Sequence, residues 1–169
     1  MGEFTKGNFL QNLLKNLPIL LLLFSTLNEF DFNYLGIDFF SFNFPFILIF
    51  YWSLKKNETF GYGYIFIAGI VNDVVIGFPI GISSLAYLLI CGFAAYLRNI
   101  TLRPNLLKDW MFFLLTLLVV NSFIYIVLVL FFEFQIVYNE LMMNLVFTFL
   151  FYVVFANIFR LYQKFFIGD

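Results

Sequence analysis

Long apolar runs joined by short polar links leave this chain few ways to fold. Six segments are long and oily enough, or nearly so, to cross a bilayer: roughly Leu10–Asn28, Phe39–Leu54, Thr59–Gly77, Ile80–Arg98, Asp109–Phe132 and Glu140–Lys164. A helical span needs about 20 apolar residues. The runs are continuous rather than the alternating stretches of about 10 residues that a membrane barrel requires. Of the 169 residues, 63% are hydrophobic and 11% charged. Soluble domains carry about 45–50% apolar and about 25% charged residues. A core of this size cannot hide the excess, because roughly a third of the surface stays exposed. The expected fold is an all-α membrane bundle forming a single transmembrane domain over residues 1–169. The links are too short to carry a folded module, the longest lying around "NITLRPNLLK".

Charge orders the spans. Lys6 and Lys15 precede "NLPILLLLFSTL"; Lys55 and Lys56 follow the second segment; Arg98, Arg103 and Lys108 fall around the link after the fourth; Arg160 and Lys164 lie at the C-terminal end. The opposite side holds Glu29, Asp31, Asp38, Glu133 and Glu140 without a Lys or Arg. Basic residues retained on the cytoplasmic side imply six spans with both termini cytoplasmic. No small-x-small cleavage site follows the first apolar run, so it reads as an uncleaved span. Pro45 suits a helix start. Tyr51, Trp52, Tyr62, Tyr64 and Trp110 fall near the cytoplasmic ends, where an aromatic belt is expected. The Phe count by itself carries no functional message.

Composition also excludes chemistry. There is no His, so neither a Ser–His dyad nor an HExxH zinc site can form. Cys91 has no basic neighbour in sequence and reads as a packing residue. No phosphate-cradling loop is present, and no intramembrane carboxylate pairs with Asp73. A net charge of −1 leaves no nucleic-acid footprint. The chain reads as no enzyme, with no cofactor and no metal.

Asp73 is the residue to explain. It lies in "FIAGIVNDVVIGFPIGISSL", inside an apolar run. On a helix, Gly69, Asp73 and Gly77 share one face at i, i+4 and i+8, flanked by Ala68 and Asn72. A groove of small residues lets another helix approach closely. By the span map Asp73 sits about one turn from the external end, where a carboxylate should face protein or water. Three roles stay open: accepting hydrogen bonds from the "GFPIG" turn or from Ser83 and Ser84, contacting a partner membrane protein, or binding a proton, ion or solute. Asp73→Asn should cost little if the carboxylate only accepts hydrogen bonds. Further stripes read as interhelical glue at about 0.6–2 kcal/mol per hydrogen bond. These are Ser84, Leu88, Cys91, Gly92 and Ala95; Asn121, Ser122 and Tyr125; and Asn144, Thr148 and Tyr152. A solute site would instead bring Asp73, Asn121, Asn144 and Tyr152 into one cavity.

The stretch Ile49–Leu85 resembles the bacterial rod shape-determining MreD family. That family joins an aromatic "YW" and basic residues after the second span to a Gly-hydrophobic-Asp-hydrophobic-Gly-x-Pro-hydrophobic-Gly signature, met here by Gly69, Asp73, Gly77, Pro79 and Gly81. Asn72 and "KKNET" depart from the usual pattern. The resemblance implies a non-enzymatic scaffold subunit of the elongation machinery in the bacterial inner membrane. Its implied partners are MreC first, then RodA with its transpeptidase and MreB filaments, within membrane lipid. Gly69, Asn72, Asp73, Gly77, Pro79 and Gly81 would be its assembly motif. The family's bundle is similar to the substrate-binding subunits of energy-coupling-factor transporters, so the alternative is a solute- or lipid-binding transporter subunit.

Overall fold

The structure, a computed structural model, describes residues 16–27, 41–55, 61–101, 105–135 and 137–167. Among them are six α-helices: α1 Leu17–Leu27, α2 Phe44–Leu54, α3 Tyr62–Ile76, α4 Ile82–Ile100, α5 Leu106–Phe132 and α6 Tyr138–Tyr162, the last running into a π-helical turn, Gln163–Ile167. The expected span starts at 10–15, 39–40 and 59–60, the charged residues Lys6, Lys15, Glu29, Asp31, Asp38, Lys56 and Arg103, and the acidic link 28–40 lie outside the described residues.

Helix boundaries move from the expected ones by a few residues, each for a local reason. α2 begins at Phe44 because the Asn43 side chain accepts from the Phe46 amide and Pro45 occupies the first turn, a pairing suited to a helix start. α5 begins at Leu106 because Asn105 caps the Leu107 amide. Three helices, α4, α5 and α6 with its extension, are long and apolar enough to cross a membrane. The other three have 11, 11 and 15 residues, or roughly 16–22 Å at 1.5 Å per residue, against a hydrocarbon core of about 30 Å.

α2 is the centre. It packs on α1, α4 and α6, and every residue from Phe44 to Ser53 is buried. A helix apolar on all sides is stable only when enclosed. α4 is the second hub, touching α2, α3 and α5. The Phe content has a structural use here. Phe44 of α2 meets Phe155 of α6 at 4.8 Å, and Phe50 of α2 meets Phe113 of α5 at 4.9 Å. Phe113 stacks on Tyr152 at 4.5 Å. Such ring pairs contribute about 0.5–1.5 kcal/mol beyond burial.

The aromatic belt needs correcting. Trp52 is 1% exposed and Tyr51 is buried, packed against Phe159 of α6; of the five, Tyr62 and Tyr64 are exposed and Trp110 partly so. A belt residue must reach the membrane surface, and the enclosed position of α2 prevents this for Tyr51 and Trp52. The outward faces of α5 and α6 are apolar, with Leu115, Leu118, Phe123, Leu130, Val146 and Leu150 all exposed. A soluble monomer rarely shows so extended an oily surface.

Polar contacts pin the two ends of α2. At its start the Asn43 amide donates to Thr148 Oγ1 of α6 at 2.8 Å, and Asn144 donates to Ser41 at 3.0 Å. At its end Arg98 of α4 donates to the Ser53 carbonyl at 2.7 Å, Ser53 donates to Cys91 Sγ at 3.2 Å, and the Tyr51 hydroxyl meets Gln163 at 3.0 Å. The Ser53 carbonyl is among the last of its helix and has no partner within it. Arg98→Met should therefore lower the thermal stability of the detergent-solubilised protein by about 1–3 kcal/mol. An unchanged melting curve would show that this helix end finds another donor.

Candidate functional site

Helices α3 and α4 form an antiparallel hairpin closed by residues 77–81. The helical pattern of α3 ends where Gly77 takes φ 78°, a left-handed conformation that glycine adopts at little cost. The amides of Gly77 and Phe78 both donate to the Asp73 carbonyl at 2.9 Å. Gly81, at φ 106°, opens α4, and as a glycine it has no side chain with which to cap it.

Asp73 supplies that cap from eight residues upstream. Its carboxylate is 0% exposed. One oxygen accepts from the Gly81 amide at 2.7 Å and the other from the Ser83 amide at 2.8 Å. These are first-turn N–H groups with no acceptor in their own helix, and the positive end of the helix dipole favours an anion there. Charge-assisted bonds of this length are the stronger kind. Asn72 adds a second tie, donating from Nδ2 to Ser83 Oγ at 2.9 Å. Pro79 contributes through its carbonyl, which accepts from the Ile82 amide at 3.3 Å. One residue thus ends α3 with its backbone and begins α4 with its side chain.

Close helix approach does the rest. Ser84 donates to the Phe66 carbonyl of α3 at 2.9 Å. A Cβ placed on Gly69 would collide with Ser84 Cα and lie 2.5 Å from its amide nitrogen and 2.6 Å from its hydroxyl. Only a glycine fits.

The structure brings Gly69, Asn72, Asp73, Gly77, Pro79 and Gly81 together on this one hairpin. Two readings of the sequence change in detail. The small-residue groove ends at Asp73, because Gly77 lies beyond the helix, is exposed, and works by its conformation rather than by packing. On α4 the buried face holds Ser83, Ser84, Ala86, Tyr87, Ile90, Cys91, Ala94 and Leu97, whereas Gly92 is exposed with open space beside it.

Asp73, Asn121, Asn144 and Tyr152, which a solute site would gather, do not together line the cavity beside the hairpin. Asn121 and Tyr125 line it with Asn43, Asn72, Ser83 and Tyr87. Asn144 is engaged with Ser41, Tyr152 lies in the aromatic core, and the Asp73 carboxylate is spent on α4. Ser122 faces outward. Asn43 and Tyr87 escaped the sequence reading. Asn43, two residues before Pro45, is a capping signal; Tyr87 follows Ser83 by one helical turn and so shares its face. Among the described residues, no group of three or more His, Cys, Asp or Glu side chains is placed to hold a metal.

An α-helical protein with an oily exterior and three helices long and apolar enough to span a bilayer, and with one deeply buried carboxylate among the described residues devoted to a helix hairpin, belongs to the class of helical membrane proteins. Its affiliation within that class follows from the family comparison. The chain belongs to the MreD family, whose model, rod shape-determining protein MreD, matches residues 11–165. Neither curated proteins nor solved structures give a match to the chain.

Three substitutions test the hairpin. Gly69→Ala should cost roughly 1–3 kcal/mol by forcing the helices apart, whereas Gly63→Ala, with open space around it, should cost nothing. Asp73→Asn should now cost about 1–3 kcal/mol, because both oxygens accept and an amide would turn a donor toward one N–H. Unfolding of the purified variants in detergent measures all three, and an Asp73→Asn protein as stable as the parent would refute the two-oxygen cap.

Proposed function

We propose that this MreD-family protein is a non-enzymatic scaffold subunit of the rod elongation complex in the bacterial inner membrane. It crosses the membrane six times with both termini in the cytoplasm. It helps maintain cell shape by linking MreC, its principal partner, to RodA with its transpeptidase and to MreB filaments.

The observation that carries this reading is the α3–α4 hairpin. Its Asn72, Asp73, Ser83 and Ser84 groups are used on one another and on the hairpin backbone, which gives the hairpin a rigid shape. The outer face of α3 presents Tyr62, Tyr64, Phe66, Ile67 and Val74, a surface on which another membrane helix can pack through close contacts. In this reading Gly69, Asn72, Asp73, Gly77, Pro79 and Gly81 serve assembly by holding that surface in place.

The topology has its own support. The C-terminal ends of α2, α4 and α6 meet through the Arg98–Ser53 and Tyr51–Gln163 contacts, which gathers Lys55, Arg98, Arg160 and Lys164 at one end of the bundle. The closed hairpin, Glu133 and Glu140 lie toward the other, where Phe78 meets Phe134 at 5.3 Å. A basic end and an acidic end are what cytoplasmic retention of Lys and Arg produces.

Mild-detergent capture of the tagged protein from its native membrane tests the scaffold reading. MreC and peptidoglycan synthases should come with the parent protein, and Gly69→Leu should lose them at equal expression. Recovery of transporter ATPase subunits in place of MreC would overturn it. Phosphatase and fluorescent reporters fused at each terminus should give cytoplasmic readings only; a phosphatase-active fusion at either end would sink the six-span map.

A further inference from the structure

Helix α5 carries polar side chains at the depth where they cost most. Asn121 lies midway between Asp109 and Glu133, the nearest charged residues along the chain, roughly 18 Å from each at 1.5 Å per residue. The hydrocarbon core is about 30 Å thick, which places Asn121, Ser122 and Tyr125 near its middle. Ser122 is exposed, and Asn121 and Tyr125 are half-buried. None of these three side chains has a hydrogen-bond partner among the described residues. Every other serine and threonine within the described helices has one. Asn121 and Tyr125 reach the cavity beside the hairpin, whereas Ser122 is not part of that lining and faces outward. Lipid tails offer neither donor nor acceptor, so the outer side of this turn needs another polar surface.

The surrounding pattern selects what covers it. Leu115, Leu118, Ser122, Tyr125 and Val129 recur at alternating spacings of three and four residues, the seam of a left-handed helix pair. Leu115, Leu118 and Val129 are exposed. A second copy of the chain inserts in the same orientation and brings the same residues to the same depth. Asparagine, serine and tyrosine side chains all donate and accept, so the patch complements itself, as a two-fold interface requires. No charged residue lies between Asp109 and Glu133, so two copies meet here without like-charge repulsion. A polar residue within an apolar seam also fixes its register. We propose that this face of α5 docks on the same face of a second copy, with Ser122 in the seam and Asn121 and Tyr125 beside it supplying further hydrogen bonds. The inference concerns α5 alone and does not rest on the scaffold reading.

The test uses the full-length protein in vesicles of phosphatidylethanolamine and phosphatidylglycerol. Donor and acceptor dyes attached at the C-terminus report pairing by energy transfer as the protein is diluted with lipid. Transfer should exceed that of randomly placed proteins, fall on dilution as a two-body equilibrium does, and be competed away by unlabelled parent. The triple variant Asn121→Leu, Ser122→Ala, Tyr125→Phe should pair roughly three- to twentyfold more weakly for each hydrogen bond lost. Ser122→Ala alone, at an exposed position, should weaken pairing in the same direction while keeping the melting temperature of the parent, which separates lost pairing from lost folding. In native membranes treated with copper–phenanthroline as oxidant, Ser122→Cys should give a cross-linked dimer. Leu150→Cys, on the exposed face of α6, should give little, and the buried Cys91 stays in both proteins. Random-level transfer, equal pairing by the parent and both variants, or equal cross-linking from the two cysteine positions would overturn the proposal. So would a product at Ser122→Cys that joins another protein in place of a second copy.

Discussion

The bundle depends on one carboxylate that serves two helices. Asp73 terminates α3 through its carbonyl, which holds the Gly77 and Phe78 amides, and starts α4 through its side chain, so the two ends cannot part without exposing the N–H groups of Gly81 and Ser83 together. In an apolar surrounding none of these finds water, and each unsatisfied group would cost several kcal/mol. A serine or asparagine at the first helical turn would satisfy fewer of them. The carboxylate's two oxygens reach amides two residues apart, which a single-acceptor side chain cannot do. That explains a charged residue within an oily run better than any reactive role, because both oxygens are occupied.

The lock matters because of what α4 supports. α4 packs on α2, and α2 is closed in by α1, α4 and α6. A short helix of 11 residues has little stability of its own. Its position comes from ring contacts along α6 and from polar pins at both ends. In lipid the hydrophobic effect hardly drives helix against helix, so close packing and interhelical hydrogen bonds carry the association. The abundance of Phe, which composition alone leaves unexplained, fits this role: flat rings interdigitate between α2, α5 and α6 where small residues are few.

Much of this was legible in the sequence because the signals are local. Apolar runs mark helices, Pro45 and the Gly-Pro-Gly turn mark their ends, and Gly69 and Asp73 four residues apart mark one helix face. What could not be read was the placement of each helix in the bundle. Tyr51 and Trp52 look like interface anchors by position, yet α2 is interior, and nothing local distinguishes an enclosed helix from one facing lipid when both are oily. Gly77 looks like part of a packing stripe because it falls at i+8, but the helix ends one residue before it. Asn43, Asn121 and Tyr87 lie far apart in the chain, and only the way α2, α4 and α5 come together makes them one surface.

The cavity and the lock are built from shared parts. Ser83 gives its amide to Asp73, takes a hydrogen bond from Asn72, and faces the cavity; Asn72 reaches Ser83 and lines the same space. The α3–α4 hairpin therefore has one side that is dry and fully paired, against Gly69 and Ser84, and another that is polar and incompletely paired, against α5. Packing on the first side is tight enough to exclude a single methyl group, which makes it rigid. The second side borders a partly open cavity of about 90 Å³. The hairpin thus joins its tightest packing to its polar face through Asn72 and Ser83, the same two residues that tie its ends.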